Sequence, residues 1–196
     1  MIEALKVIAA GCLAYVFGSI SFALIVTRWK AQIDVRTIGS GHATATNTMR
    51  AAGWMAGILV LVLDFAKGFL AVWFAQSVLD SVWGAVFAAG MVVIGHCWPF
   101  YAGFRGGMGM ASGGGALCAI WPLGFVMAIG LGALLQLVVR HSAKANSLTG
   151  ILLAPLWAPF GLPLNAIAAA GVVGLVIAVR AASDWQREYR ELWWDR

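Results

Sequence analysis

The stretch SGGGALCAIWPLGFVMAIGLGALLQLVV, from Ser112 to Val139, decides how this chain is built. It carries no charge and is longer than one bilayer crossing needs, so it is expected in lipid. Trp121-Pro122-Leu123-Gly124 interrupts it, and a proline inside a helix removes a donor and crowds the preceding turn. Read as a single crossing, it would leave Arg140 and Lys144 on the opposite side from Arg105. Read as a short helical hairpin turning at Pro122, it returns them to the same side, as the positive-inside bias favours. Each half is short for a full crossing. Outward from this stretch, Val78 to Trp98, Trp54 to Gln76 and Ile2 to Val26 precede it, and Leu148 to Phe160 and Leu164 to Val179 follow. Gly161-Leu162-Pro163 parts the last two. A single span must satisfy its own backbone in lipid, so all of these are expected to be helices. The fold class expected is all-α, a polytopic membrane helix bundle of about seven helices including the short hairpin, in one domain over residues 1–196.

Composition supports that reading. The chain has 196 residues, 62% of them hydrophobic and 11% charged, with a mean hydropathy of +0.88. A water-soluble domain would need more polar surface, and no length is left for one beside the spans. The net charge of +5 is scattered among short connections, which argues against nucleic acid as a partner. Arg28, Lys30, Arg36 and Arg50 against Asp34 place the first connection in the cytoplasm. The connection near Asp80 then lies outside, the tail from Arg180 inside and the N-terminus outside. Trp29, Trp54, Trp73, Trp83, Trp98, Trp121 and Trp157 fall near span ends, as interfacial anchors do. Cys12, Cys97 and Cys118 show no paired spacing, so neither a disulfide framework nor a metal site is expected. No cleavable leader is expected, because the first apolar run lacks a small-residue cleavage site. The tail from Asp184, DWQREYRELWWDR, reads either as an amphipathic interfacial helix or as a frayed end.

Three polar stretches stand out. Asp34 to Arg50, DVRTIGSGHATATNTMR, is rich in Gly, Ser, Thr and Asn between two greasy helices. Gly39-Ser40-Gly41 can form a backbone anion nest, with Ser40, Thr44 and Thr46 as donors and Arg36 and Arg50 as charge. Without a ligand it would be a hydrated loop ending in a helix cap. LDFAKG puts Asp64 and Lys67 inside an apolar segment, where a charge costs at least ~2.5 kcal/mol unless it faces protein or water. They lie three residues apart on one helix face and can pair. GHCWPFYAGFRGGMGMASGGG, Gly95 to Gly115, joins His96 and Arg105 to a run of glycines. Glycines admit a ligand close to the backbone, and a helix starting near Ser112 would aim its positive end there. The spacings Gly103/Gly107 and Gly109/Gly113 also suit close helix packing. All three stretches fall on the same side of the expected topology, which suggests one cytoplasm-facing site for phosphates.

On these motifs the sequence resembles the bacterial acyl-phosphate:glycerol-3-phosphate acyltransferase family (PlsY). That family's signatures read approximately GSI(P/S)…D-x-R-x-x-GSGN-x-GATN-x-x-R, then (L/F)D-x-x-KG, then GH-x-(W/F)P-x-F-x-x-F-x-GGKG-x-A(T/S). Here they read GSIS from Gly18, DVR from Asp34, GSGHATATNTMR from Gly39, LDFAKG from Leu63 and GHCWPFYAGFRGGMGMAS from Gly95. The resemblance covers essentially the whole chain. It implies seven membrane helices and transfer of an acyl group from acyl phosphate to glycerol 3-phosphate. The product is 1-acylglycerol 3-phosphate, an early step of phospholipid synthesis, made without a cofactor. It implies catalytic roles for His96, Ser40 and Lys67, with Asp64 as ion-pair partner. Substrate or phosphate contacts are expected from Gly39, Gly41, His42, Thr46, Asn47, Arg50, Arg105, Gly106, Gly107, Gly109, Ser112, Lys144 and Arg180. The partners implied are the two substrates and membrane lipids, in a bacterial inner membrane with the site facing the cytoplasm. Either His96 or a substrate phosphate would take the hydroxyl proton.

Departures from the pattern are as informative. Met108 replaces the lysine of GGKG, His42 the Asn after GSG, and Thr44 the Gly of GATN. The family's late Ser-rich stretch aligns near Ala143 and Lys144. Its C-terminal RH-x-x-N aligns with Arg180-Ala181-Ala182-Ser183-Asp184, keeping only the arginine. Each lost charge-assisted contact costs ~1.5–3 kcal/mol if nothing replaces it. Lys144 or Arg105 is expected to restore the charge, and His42 to act as a donor. A paralogue of weak activity that binds phosphorylated lipid precursors, or an enzyme with another acceptor, is the alternative.

Overall fold

The structure is a computed structural model and describes residues 1–187. Among these residues the secondary structure is entirely helical. The helices are α1 (Ile2–Gly18), α2 (Phe22–Ala31), α3 (Ala45–Ala52), α4 (Trp54–Ser77), α5 (Val82–Cys97), α6 (Met110–Ile120), α7 (Pro122–Val139), α8 (Ser142–Trp157) and α9 (Leu164–Ala182). Among the described residues, five segments are long and apolar enough to cross a membrane: Ile2–Ala31 taken across its break, Trp54–Ser77, Val82–Ala102, Pro122–Val139 and Leu164–Ala182.

The sides of the bundle explain why it needs lipid. On α7, Leu123, Val126, Ile129, Leu134, Leu137 and Val138 are all exposed. Water would not tolerate that apolar face, whereas acyl chains cover it. The interior is built from small residues. Ala85, Ala88, Ala89, Val92 and Val93 of α5 meet Ala169, Ala170 and Val173 of α9, with Val72 and Ala75 of α4. Small side chains let helix backbones approach closely, which drives association in lipid where apolar burial gains little. Gly68 on α4 and Gly115 on α6 are the tightest cases: a β-carbon on either would collide with a carbonyl of the other helix, Ser112 or Phe65.

The hairpin expected at Pro122 is present. Pro122 starts α7, where its missing donor costs nothing. Gly114 of α6 stands against the Phe125 ring, so α7 doubles back beside α6. The eleven residues of α6 extend only ~16 Å, about half the hydrocarbon thickness.

Three expectations change. The first span is not one helix: it breaks after Gly18, where the Ser19 hydroxyl bonds the Tyr15 carbonyl (2.8 Å) and the chain restarts at Phe22. The polar stretch expected as loop contains α3, capped by the Thr44 hydroxyl accepting from the Asn47 amide (3.3 Å). The last hairpin begins at Ser142, six residues before Leu148, because His141 caps it. Of the two glycine spacings, Gly103 and Gly107 lie in a loop and pack no helices. The interfacial helix expected from Asp184 lies for the most part outside the described residues.

Candidate active site

The three polar stretches converge at one end of the bundle. Arg36 is the clamp between the first and third: its Nη1 donates to the Ala102 carbonyl (2.8 Å) and the Arg105 carbonyl (3.4 Å). Asp34 holds the same guanidinium, 2.7 Å from Nη2, and that partner lowers the Asp34 carboxyl to about 2. Backbone bonds complete the junction, with Ala43 donating to the Gly106 carbonyl (3.2 Å) and Gly107 to the His96 carbonyl (3.0 Å). Gly107 must be glycine, since a β-carbon there would strike His96 Nε2 and the Ala43 carbonyl.

A cavity of about 800 Å³ opens at this junction. Its polar wall includes Gly39, Ser40, His42, Thr46, Asn47, Arg50, Asp64, His96 and Gly109. Leu61, Met108, Met110 and Ala111 make part of it apolar. Asn47 organises the Gly-Ser turn: its amide donates to Ser40 Oγ (3.0 Å) and the His42 carbonyl (2.9 Å). Its oxygen accepts from Arg50 Nη1 at 2.9 Å, which aims the guanidinium along the wall. Deeper in, Asp64 Oδ1 lies 2.8 Å from Lys67 Nζ and 3.5 Å from His96 Nδ1. Neither contact is an aligned hydrogen bond, so the buried carboxylate is held by charge. With Nδ1 turned to Asp64, the opposite ring nitrogen of His96 is the one left for a substrate.

Several expected ligands stand elsewhere. Lys67 is 1% exposed and lies outside the cavity wall. Its ammonium is shared between Asp64 and the Ile20 carbonyl (2.8 Å), the acceptor freed where α1 breaks from α2. Ser112 is fully buried, its hydroxyl turned to the Gly109 carbonyl (3.3 Å). Lys144 is also outside the wall and rests over the Trp185 ring, 5.7 Å from its centroid. Arg105 and Arg180 line a smaller adjoining cavity of about 290 Å³ with Ser40, Gly41, His42 and Gly106. Neither Lys144 nor Arg105 lines the large cavity in whose wall Met108 stands.

Other residues take part that the sequence reading missed. Arg187 lines both cavities, and Ser142 and Asn146 at the start of α8 line the larger. Asp184 bonds His42 Nε2 at 2.5 Å. Arg187 sat inside a mixed-charge tail that looked interfacial. The signal for Asp184 was present as two separate departures, His42 and Asp184, which are complementary in chemistry.

A membrane helix bundle whose half-polar, half-apolar cavity has guanidinium groups and a Gly-Ser turn in its wall is an integral membrane protein with a candidate anion site. The family model described as glycerol-3-phosphate acyltransferase matches residues 8–191. The chain is 37% identical over 180 residues to a glycerol-3-phosphate acyltransferase of Halalkalibacterium halodurans, covering 89% of this chain and 87% of that one. It is 37% identical over 187 residues to that of Neisseria meningitidis serogroup C, covering 90% of each. The crystal structure of PlsY (YgiH), an integral membrane glycerol 3-phosphate acyltransferase in its glycerol 3-phosphate form, superposes with a TM-score of 0.80 at 31% identity, over 92% of this chain and 90% of that one. The chain belongs to the glycerol-3-phosphate acyltransferase family.

Proposed function

We propose that this protein moves an acyl group from acyl phosphate to glycerol 3-phosphate and releases 1-acylglycerol 3-phosphate and inorganic phosphate. The observation that carries this reading is the mixed wall of the large cavity. Arg50, Arg187, Ser40 and Asn47 suit phosphate, while Leu61, Met108 and Met110 suit the start of an acyl chain running toward lipid. In the reaction the glycerol hydroxyl oxygen bonds the acyl carbonyl carbon, and the bond from that carbon to the phosphate oxygen breaks. Phosphate is a good enough leaving group that no covalent enzyme intermediate is needed. The protein's part is to hold two anions close, orient the hydroxyl and stabilise charge as it moves.

His96 is the group placed to take the hydroxyl proton. Asp64 faces its Nδ1, which favours a hydrogen there and leaves Nε2 as acceptor. The leaving phosphate can take the same proton. Ser40 and the Gly39–Gly41 turn supply donors, and Arg50, fixed by Asn47, supplies charge. Lys67 acts on this reading through Asp64. The basic connection holding Arg28, Lys30, Arg36 and Arg50 supports a cytoplasmic site in the bacterial inner membrane, with the N-terminus outside and the C-terminus inside.

The test is product formation by the purified chain in vesicles given acyl phosphate and glycerol 3-phosphate, then related polyol phosphates. Turnover with glycerol 3-phosphate is expected. Turnover with another polyol phosphate alone would assign Met108 and its neighbours to acceptor choice. No turnover from folded protein would overturn the reading.

A further inference from the structure

Three distant parts of the chain are joined at the edge of the cavity by one line of hydrogen bonds. Asp184 Oδ2 is 2.5 Å from His42 Nε2, and His42 Nδ1 is 2.9 Å from Arg180 Nη2. Arg180 Nε donates to the Gly107 carbonyl at 2.9 Å, and Nη1 to Ser183 Oγ at 3.1 Å. Chemistry sets the direction of each bond. A guanidinium only donates, so Nδ1 accepts and the ring hydrogen sits on Nε2, toward the carboxylate. The side chains of His42 and Asp184 are 11% and 9% exposed, so little water competes for these positions. The Trp98 ring lies 5.9 Å from the same guanidinium.

Each link depends on the one before it. Asp184 makes Nε2 the protonated nitrogen, Nδ1 then offers Arg180 an acceptor, and Arg180 holds the carbonyl of Gly107. Met108 and Gly109, the next two residues, form part of the large cavity's wall.

We propose that Asp184 is a positioning residue for the anion site: by fixing the His42 tautomer it holds Arg180 on the glycine-rich loop and sets the wall that receives the substrate phosphate. The identity of that substrate rests on the acyltransferase reading above; the linkage itself does not. Positions 42 and 184 are 142 residues apart in the chain and touch only through the fold. A second proton on His42 would place an N–H against the Arg180 N–H and break the line. Asp184, Arg180 and Arg187 are the charged groups acting on the ring, with Arg105 lining the same small cavity. Burial pushes the imidazole below the ordinary histidine range, so the neutral, connected form prevails at neutral pH. Phosphate affinity should then weaken under acid conditions.

The experiment uses the full chain labelled with 15N-histidine, as wild type, Asp184→Ala, Asp184→Asn, His42→Asn and His42→Asn/Asp184→Asn, each shown to be monodisperse. Nitrogen chemical shifts should give the Nε2–H tautomer for His42 in wild type and a mixture in Asp184→Ala. The KM for glycerol 3-phosphate should rise about tenfold in Asp184→Ala with kcat changed far less, the size of one charge-assisted bond. Compared with Asp184→Ala, His42→Asn should stay closer to wild type in KM, because its amide can donate to Asp184 and its oxygen accept from Arg180. Its KM should also lose the wild type's rise at acid pH. An unchanged tautomer in Asp184→Ala, a KM there close to wild type, or a KM in the double variant as high as in Asp184→Ala would each overturn the proposal. If wild type turns over no acyl phosphate, the acyltransferase reading fails by itself. The linkage is then judged by the tautomer and by the Kd of inorganic phosphate, with the same expected rise and the same overturning result.

Discussion

Two ionic clusters flank the cavity, and the chain assembles them in opposite ways. Asp64 and Lys67 stand one turn apart on α4, and His96 of α5 reaches the same carboxylate oxygen. Asp184, His42 and Arg180 come from opposite ends of the chain and meet only in the folded bundle. The first cluster also ties down the break between α1 and α2 through the Ile20 carbonyl. The second ties down the glycine-rich loop through the Gly107 carbonyl. The first cluster thus serves the bundle through Lys67 and the cavity wall through Asp64 and His96, whereas the distant one stands at the cavity's edge. Substitutions should separate the two by what they disturb, stability or affinity.

The largest effect is expected from Lys67→Ala. It leaves Asp64 buried without a counter-ion and Ile20 without its donor, at a cost of about 3–5 kcal/mol. Thermal unfolding in detergent should show the drop, and adding Asp64→Leu should recover part of the stability but not the activity. A stable Lys67→Ala protein with a raised KM would erase the contrast and place Lys67 in the substrate site. Arg50→Ala should cost about 1.5–3 kcal/mol, read as an increase in KM for glycerol 3-phosphate with the unfolding temperature little changed.

Acid titration probes the distant cluster more finely. The proton affinity of His42 is lower in the folded chain than its ordinary 6.5, so its contribution is present above pH 6.5 and is lost as pH falls through the lowered value. Asp34 behaves alike at lower pH: its contribution is present above 3.8 and lost as pH falls toward about 2. Denaturation midpoints measured against pH should show two separate acid limbs, and His42→Asn should remove only the upper one. The smallest effect belongs to Lys144→Ala, about 0.5–1 kcal/mol from its contact with the Trp185 ring. A tenfold loss of rate in that variant would place Lys144 in the substrate site after all.

The same division separates what could be read from the sequence. Hydropathy located the spans, Pro122 located the hairpin, and the i, i+3 spacing of Asp64 and Lys67 announced their pairing, because each is a local property of the chain. The family motifs brought Ser40, Asn47, Arg50 and His96 to one cavity. The partner of Lys67 across the bundle was not legible, since a carbonyl becomes an acceptor only where a helix happens to break. Neither was the meeting of His42 and Asp184, nor the arrival of Arg187 at the cavity. Those depend on how α9 ends against the first connection, which no periodicity encodes. Nor was it legible that Lys144 and Arg105 stand outside the large cavity's wall: charge count is a sequence property, but reach is not.

The break between α1 and α2 bears on how the molecule is made. Its Ile20 carbonyl finds a donor on Lys67, forty-seven residues later in the chain. A nascent segment ending before α4 has no such donor in the lipid interior, where an unsatisfied carbonyl is costly. The bend in the earliest segment is thus completed by a side chain that a later one supplies.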